Sequence, residues 1–126
     1  MRNVAISVVI FIIMILAMTI SLSYLNKITN NLENLNMQIE TYINDRNWDE
    51  ANKAATDFSE KWDKYTNIIK LFVNHQELDN IEIELSKLTQ FVREKTPDES
   101  LANVHTLDFL LNHITNLEKI NLQNIF

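Results

Sequence analysis

The chain has 126 residues, enough for one domain, and it contains no glycine, one proline and no cysteine. Without cysteine there is no disulfide, thiolate nucleophile or lipoprotein anchor, and without glycine no Gly-rich phosphate loop or nucleophile elbow. The formal net charge of −6 disfavours binding to the phosphate backbone of nucleic acids. So few turn-forming residues favour helices over strands, and we expect an all-α protein without enzymatic activity.

The N-terminal segment is a candidate membrane span, because the 22 residues from Val4 to Leu25 carry no charge. At about 1.5 Å per helical residue, they cross a hydrocarbon core of about 30 Å. A cleaved signal peptide is the alternative, with small residues at Ser21 and Ser23 offering a cleavage site. The apolar run exceeds the usual length of a signal-peptide core, so we predict a single-pass transmembrane anchor in the cell membrane over residues 1–25.

The residues in and around the span predict its orientation and a contact with another transmembrane helix. Arg2 precedes the span, whereas acidic residues closely follow Lys27, so the positive-inside rule favours a cytoplasmic N-terminus. The domain over residues 26–126 is then extracytoplasmic. Ala17 and Ser21 form a small-xxx-small pair, which predicts a contact with another transmembrane helix.

After the span, apolar residues recur at alternating steps of three and four, which aligns one face of a helix for burial. The pattern predicts helices over roughly 3–45, 48–72, 75–95 and 97–119, joined by very short links. Each of the last three begins like a capping box, with a capping residue followed three positions later by glutamate. The capping residues are Asn47, Asn74 and Thr96.

The predicted helix over residues 48–72 carries five of the eleven aromatic side chains, more than any other helix. They fall on its apolar stripe, so we assign them to the core and not to a cofactor-binding pocket. The stripe consists of Trp48, Ala51, Ala55, Phe58, Trp62, Tyr65, Ile69 and Phe72.

A faint internal repeat with an offset of 49 residues relates the two halves of the domain. It matches Ile39 to Leu88 and Asp49 to Asp98. The repeated unit is a helical hairpin, similar in outline to a tetratricopeptide unit but longer. Two such hairpins form either an up-down four-helix bundle or a two-unit solenoid. We favour the bundle, because two units are few for a solenoid.

The third helix carries the densest group of histidine and carboxylate side chains. His75, Asp79 and Glu82 share one flank of this helix at positions i, i+4 and i+7. If the third and fourth helices pack antiparallel, with the numbers of facing residues summing to about 194, two pairs bridge the hairpin. These predicted pairs are His113 with Glu82, and Glu118 with His75.

Such pairs have three possible uses, which the sequence leaves open. They can be hydrogen-bonded contacts that fix the register of the hairpin, each contributing about 1 kcal/mol. They can also bind zinc or another divalent ion, or act as a pH-sensitive contact, since imidazole takes up a proton near neutral pH. The helical metal motifs HExxH and paired ExxH are absent, so we expect no bound metal, no cofactor and no catalytic residue.

The sequence ends in NLQNIF, with two large apolar residues, Ile125 and Phe126. Two roles are open for this segment. It can fold back onto the bundle, or a partner can capture it as a C-terminal peptide.

Several motifs together resemble a known family. They are the apolar span followed by YLN, the stretch NDRNWDEA, the stretch LFVNHQELDNIEIEL and the ending NLQNIF. On these motifs the chain is similar, nearly end to end, to a clostridial family of short proteins known as domain of unknown function 4363. Members share one N-terminal span, and their genes often neighbour that of a multi-pass membrane protein. The resemblance implies a membrane-associated, multi-pass partner and transfers no activity, substrate or cofactor.

We therefore expect a non-enzymatic, membrane-anchored helical protein that binds or stabilises another membrane protein. The alternative is an ion- or pH-sensing accessory domain that uses the cluster of histidine and carboxylate side chains.

Overall fold

The computed structural model describes the backbone of residues 1–125 and the side chains of residues 1–117. Four α-helices account for nearly all of this part of the chain, which contains no strand. They are α1 (Arg2–Asn44), α2 (Trp48–Ile69), α3 (His75–Arg93) and α4 (Pro97–Ile125). The all-α prediction is therefore confirmed.

The four helices pack in a closed ring. Helix α1 packs against α2 and α4, and α3 packs against the same two helices. Because the links are short, each helix runs antiparallel to the one before it. A two-unit solenoid would leave its first and last helices apart, so the contact between α1 and α4 identifies the fold as an up-down four-helix bundle.

The predicted apolar stripes meet along the axis of the bundle. Helix α1 contributes to this core only from Leu22 onward, whereas the other helices contribute along most of their length. Burying a large apolar side chain contributes about 1.5–3 kcal/mol relative to leaving it exposed. The largest fully buried side chains are Trp62, Phe58, Leu25, Ile28, Leu32, Ile39, Ile43, Ile69, Ile81, Leu88, Leu107 and Leu111.

The first half of α1 projects beyond the bundle. An 18-residue window of this helix has a mean hydropathy of 2.8, and none of it is buried. Within the described residues, this is the one helix long and apolar enough to cross a membrane. The projecting segment and the first helix of the bundle form one continuous helix.

The C-terminal ends of α1 and α3 have the same backbone geometry. At the end of α1, Arg46 adopts a left-handed φ of 57°, and the amide of Asn47 donates to the carbonyl oxygen of Tyr42 at 2.9 Å. At the end of α3, Lys95 has a φ of 58°, and the next amide donates five residues back at 3.0 Å. Both ends are Schellman motifs. The repeat with an offset of 49 residues is therefore present in the structure as two equivalent turns.

The predicted N-terminal caps differ in their geometry. The side chains of Asn47 and Asn74 accept hydrogen bonds from the amide three residues on, at 3.4 and 3.0 Å. The Thr96 hydroxyl instead donates to the carbonyl oxygen of Phe91 at 3.2 Å. Capping by the side chain is therefore confirmed at the first two sites, whereas the third side chain binds the preceding helix.

The end of α2 corrects one prediction about the core. Helix α2 ends at Ile69, three residues before the predicted end, and the amides of Phe72 and Val73 both donate to its carbonyl oxygen. This turn moves Phe72 off the stripe, leaving it 36% exposed, and turns Val73 inward. The assignment of Phe72 to the core was therefore wrong. Phe58 and Trp62 are buried as predicted, and Trp48 and Tyr65 pack partly buried against the core.

Two other helix ends also differ from the sequence prediction. Helix α3 ends at Arg93, because the Schellman turn follows it at once. Helix α4 continues to Ile125, beyond the predicted end at residue 119. No proline or glycine interrupts this last segment, and its backbone stays helical.

Candidate functional site

One of the two predicted histidine–carboxylate bridges is replaced by a different contact. His113 Nε2 lies 3.8 Å from Glu77 Oε1, and its ring stacks on Phe109 with the centroids 6.2 Å apart. No ion pair joins His113 to Glu82, both of which belong to the described part of the chain. The expected contact between these two residues therefore does not form.

The change of partner follows from the position of the turn. Helix α3 ends at Arg93 and α4 begins at Pro97, which centres the hairpin on Lys95. The numbers of facing residues then sum to about 190, as for His113 and Glu77, and not to 194. A difference of four is about one helical turn, so the predicted partner lies one turn too far along α3.

Glu82 forms a hydrogen bond with a residue of α2. The buried Trp62 donates from Nε1 to Glu82 Oε1 at 3.4 Å. This hydrogen bond satisfies the indole N–H, which would otherwise be buried without a partner. A residue predicted to be a candidate metal ligand therefore orients a core tryptophan.

The remaining candidate ligands do not form a metal site with the described side chains. His75 and Asp79 are exposed at the start of α3. Among the side chains of residues 1–117, no group of three or more His, Asp or Glu residues is placed to hold a metal ion. Glu118, and with it the predicted pair with His75, lies outside the described side chains, as do Ile125 and Phe126.

Among the described side chains, those of Asn36 and Glu40 on α1 make polar contacts with α4 that were missed in the sequence. Asn36 is 1% exposed, and its Nδ2 donates to the main-chain oxygen of Val104 at 2.8 Å. On the surface, His105 Nε2 lies 3.6 Å from Glu40 Oε1. Asn36 follows Leu32 by four positions, so its spacing places it on the buried face, but a stripe defined by apolar residues does not include an asparagine.

An open groove of about 690 Å³ runs along the surface between α2 and α3. Its lining includes the carboxylate of Glu82, the hydroxyl of Ser86 and the guanidinium of Arg93. No histidine or cysteine is among the side chains that line it, so it does not pair a serine with an imidazole base. We assign no chemistry to this groove.

Three hydroxyl groups in the projecting half of α1 form hydrogen bonds within the helix. Ser21 Oγ donates to the carbonyl oxygen of Ala17 at 2.8 Å, and Ser7 and Thr19 make the same contact one turn back. Such bonds allow serine and threonine to lie in a hydrocarbon environment without a free donor. Polar residues in this segment are therefore compatible with a membrane span.

A known family matches most of the chain. A family described as "Domain of unknown function (DUF4363)" matches residues 19–125. The chain belongs to this family. Its resemblance to the family, seen in the sequence, is thus confirmed, and the match covers the whole DUF4363 bundle together with the last turns of the apolar segment. No curated protein and no solved structure matches the chain.

Proposed function

We propose that this DUF4363 protein is a non-enzymatic, single-pass membrane protein that binds or stabilises a multi-pass membrane protein. The observation that carries this proposal is the projecting half of α1. It is apolar, it is uncovered by the bundle, and it is long enough to cross a membrane. A lipid bilayer and a neighbouring transmembrane helix are the environments that would cover such a surface.

The continuity of α1 favours a retained anchor over a cleaved signal peptide. Leu22 and Leu25 are already buried in the bundle, and the helix has no break between them and the apolar segment. Cleavage near Ser21 or Ser23 would remove the first buried turn of α1 or leave it as a frayed end. A retained segment keeps this part of the core intact.

The same continuity supports a choice of contact face in the span. Ser21 precedes the buried Leu25 by four positions, and Ala17 precedes Ser21 by four. The small pair therefore lies along one edge of the core-facing stripe of α1, continued into the membrane. We propose that a transmembrane helix of the partner packs against Ala17 and Ser21, directly below the bundle.

The orientation of the protein is part of the proposal. Arg2 is the cation that precedes the apolar segment, and the domain that follows is strongly acidic. The positive-inside rule then leaves the N-terminus in the cytoplasm and the bundle on the outer face of the membrane.

Affinity capture from detergent-solubilised membranes tests the proposal. The full-length protein carries a tag, and co-purifying membrane proteins are identified by mass spectrometry. The double variant Ala17→Leu with Ser21→Leu makes the predicted contact face bulky. A matched control, Ala5→Leu with Ser23→Leu, makes the same changes of side chain on other faces of the helix.

We expect one multi-pass protein to co-purify reproducibly with the wild type and with the control. Its recovery falls at least tenfold with the double variant, because close approach of two helices requires small residues. Equal recovery with both variants would contradict the proposed face, and the absence of any reproducible membrane partner would contradict the proposal itself.

A further inference from the structure

The link between α2 and α3 lies at the end of the bundle from which the apolar segment of α1 projects. In an up-down bundle, the start of α1, the end of α2 and the start of α3 share one end. The link spans residues 70–74 and carries the sequence KLFVN. If α1 crosses a membrane, this link is the part of the α2–α3 hairpin closest to it.

The register between α1 and α2 shows which residues of α1 lie level with the link. Their hairpin is centred on Arg46, so the numbers of facing residues sum to about 92. The surface between the two helices confirms this register, since Leu35 and Asp57 line the same depression. Leu71 is therefore level with about residue 21 of α1, within the charge-free segment.

Two apolar side chains of the link are exposed to solvent at this level of α1. Leu71 is 75% exposed, and Phe72, displaced from the core by the turn after Ile69, is also exposed. Lys70 beside them is exposed as well. Exposing adjacent leucine and phenylalanine side chains at a tip is unfavourable in water but favourable where they meet lipid.

The residues of α1 that follow this level, toward the charged part of the helix, have the composition of a membrane interface. Tyr24 is exposed, and Lys27 begins the charged part of the helix one turn later. Tyrosine is enriched at the level of the lipid headgroups, and lysine extends its ammonium group toward them. The apolar side chains of the link thus lie just on the membrane side of this interfacial turn of α1.

We propose that the α2–α3 link is a second membrane contact, in which Leu71 and Phe72 insert into the acyl-chain boundary while Lys70 contacts lipid phosphates. This inference rests on the proposed membrane anchoring of α1. The bundle is then held by the membrane at two points, the span and the link. Two attachment points restrict its tilt and fix the orientation of the bundle above the bilayer.

Site-specific fluorescence tests the inference without background labelling, because the chain has no native cysteine. Single-cysteine variants of the full-length protein are labelled with a dye that is sensitive to polarity. They are reconstituted into vesicles of phosphatidylcholine and phosphatidylglycerol. Leu71→Cys and Phe72→Cys report on the link, Glu94→Cys reports on the opposite end of the bundle, and Ile10→Cys reports on the span.

We expect the labels at positions 71 and 72 to emit at shorter wavelengths than the label at position 94, and spin-labelled lipids to quench them. Lipids with the spin label near the headgroup quench these two positions more strongly than position 10, and lipids with the spin label deep in the bilayer do the reverse.

The label in the span separates the two possible failures. If position 10 is quenched by lipid while positions 71 and 72 emit as in water, the link inference is overturned and the anchor stands. If position 10 also emits as in water, the anchoring of α1 is overturned and the link inference falls with it.

Discussion

Arg46 and Lys95 occupy equivalent positions, each in the left-handed conformation at the end of a helix, with φ values of 57° and 58°. The left-handed region costs a residue with a Cβ atom about 1–2 kcal/mol relative to the right-handed one. Helix ends of this kind usually carry glycine, and this sequence has none. Both turns therefore carry backbone strain that glycine at these positions would not have.

Glycine at these two positions is predicted to stabilise the bundle. Arg46→Gly and Lys95→Gly should each raise the free energy of unfolding by about 0.5–1 kcal/mol, because the Cβ strain disappears. The measurement is chemical unfolding of the full-length protein in detergent micelles, followed by tryptophan fluorescence. The controls Asp45→Gly and Glu94→Gly change the neighbouring right-handed residues and should lower stability. Stabilisation by the controls, or none by the two variants, would argue against the strain.

The buried Asn36 should tolerate loss of its side chain better than the introduction of a charge. Asn36→Ala removes one hydrogen bond to Val104 and should cost about 1–3 kcal/mol. Asn36→Asp should cost more, because a carboxylate cannot donate to a carbonyl oxygen and its charge would be buried. Thermal melting checks the order, with the exposed Asn34→Asp as the matched control, expected to melt like the wild type. If the Asn36→Asp variant proved as stable as the alanine variant, this position would be solvated.

Truncation to alanine should destabilise the bundle strongly at Phe58 and hardly at all at Phe109. Phe58→Ala opens a cavity in the core and should cost about 3–5 kcal/mol. Phe109 is 68% exposed, so Phe109→Ala should change stability by no more than about 0.5 kcal/mol. Unfolding curves of the two variants decide this, and comparable losses would mean that Phe109 is covered by another surface.

Zinc is predicted to leave the protein unchanged. The described side chains bring together His113 with Glu77 and His105 with Glu40, two ligands each, whereas protein zinc sites use three or four. Adding zinc to the purified full-length protein should therefore not shift its melting temperature. A shift that disappears in a His75→Gln and His113→Gln double variant would restore the ion-binding hypothesis.

The topology can be tested on intact cells, again because the chain lacks cysteine. Asn52 is exposed on α2, and Asn52→Cys should react with a membrane-impermeant maleimide added outside the cell. Asn3→Cys, which leaves Arg2 in place, should react only after the membrane is permeabilised. The reverse pattern would place the bundle in the cytoplasm.

Much of the fold could be predicted from the sequence, because helix periodicity and capping are local properties. The stripes that bury Phe58, Trp62 and Leu107 follow directly from the spacing of apolar residues. The two asparagine caps are likewise local patterns. The 49-residue repeat indicated two similar helical hairpins, although it could not show the backbone geometry of their turns.

The predicted pairing of His113 with Glu82 was wrong because it depended on the position of a turn. The assumed centre of the α3–α4 hairpin was two residues late, which moved the partner of His113 by a full helical turn. Phe72 was misplaced for a similar reason, since the spacing rule continues smoothly through residues 70–72 whereas the backbone does not. Turn geometry depends on hydrogen bonds between the backbone and the ends of the helices, which apolar spacing does not report.

Mass spectrometry of the chain recovered from carbonate-washed membranes tests the central claim most directly. A retained anchor predicts that the protein stays in the membrane pellet with a mass that includes residues 4–25. A chain that begins after Ser23 and is released into the supernatant would contradict the claim, because the apolar half of α1 would then be a signal peptide.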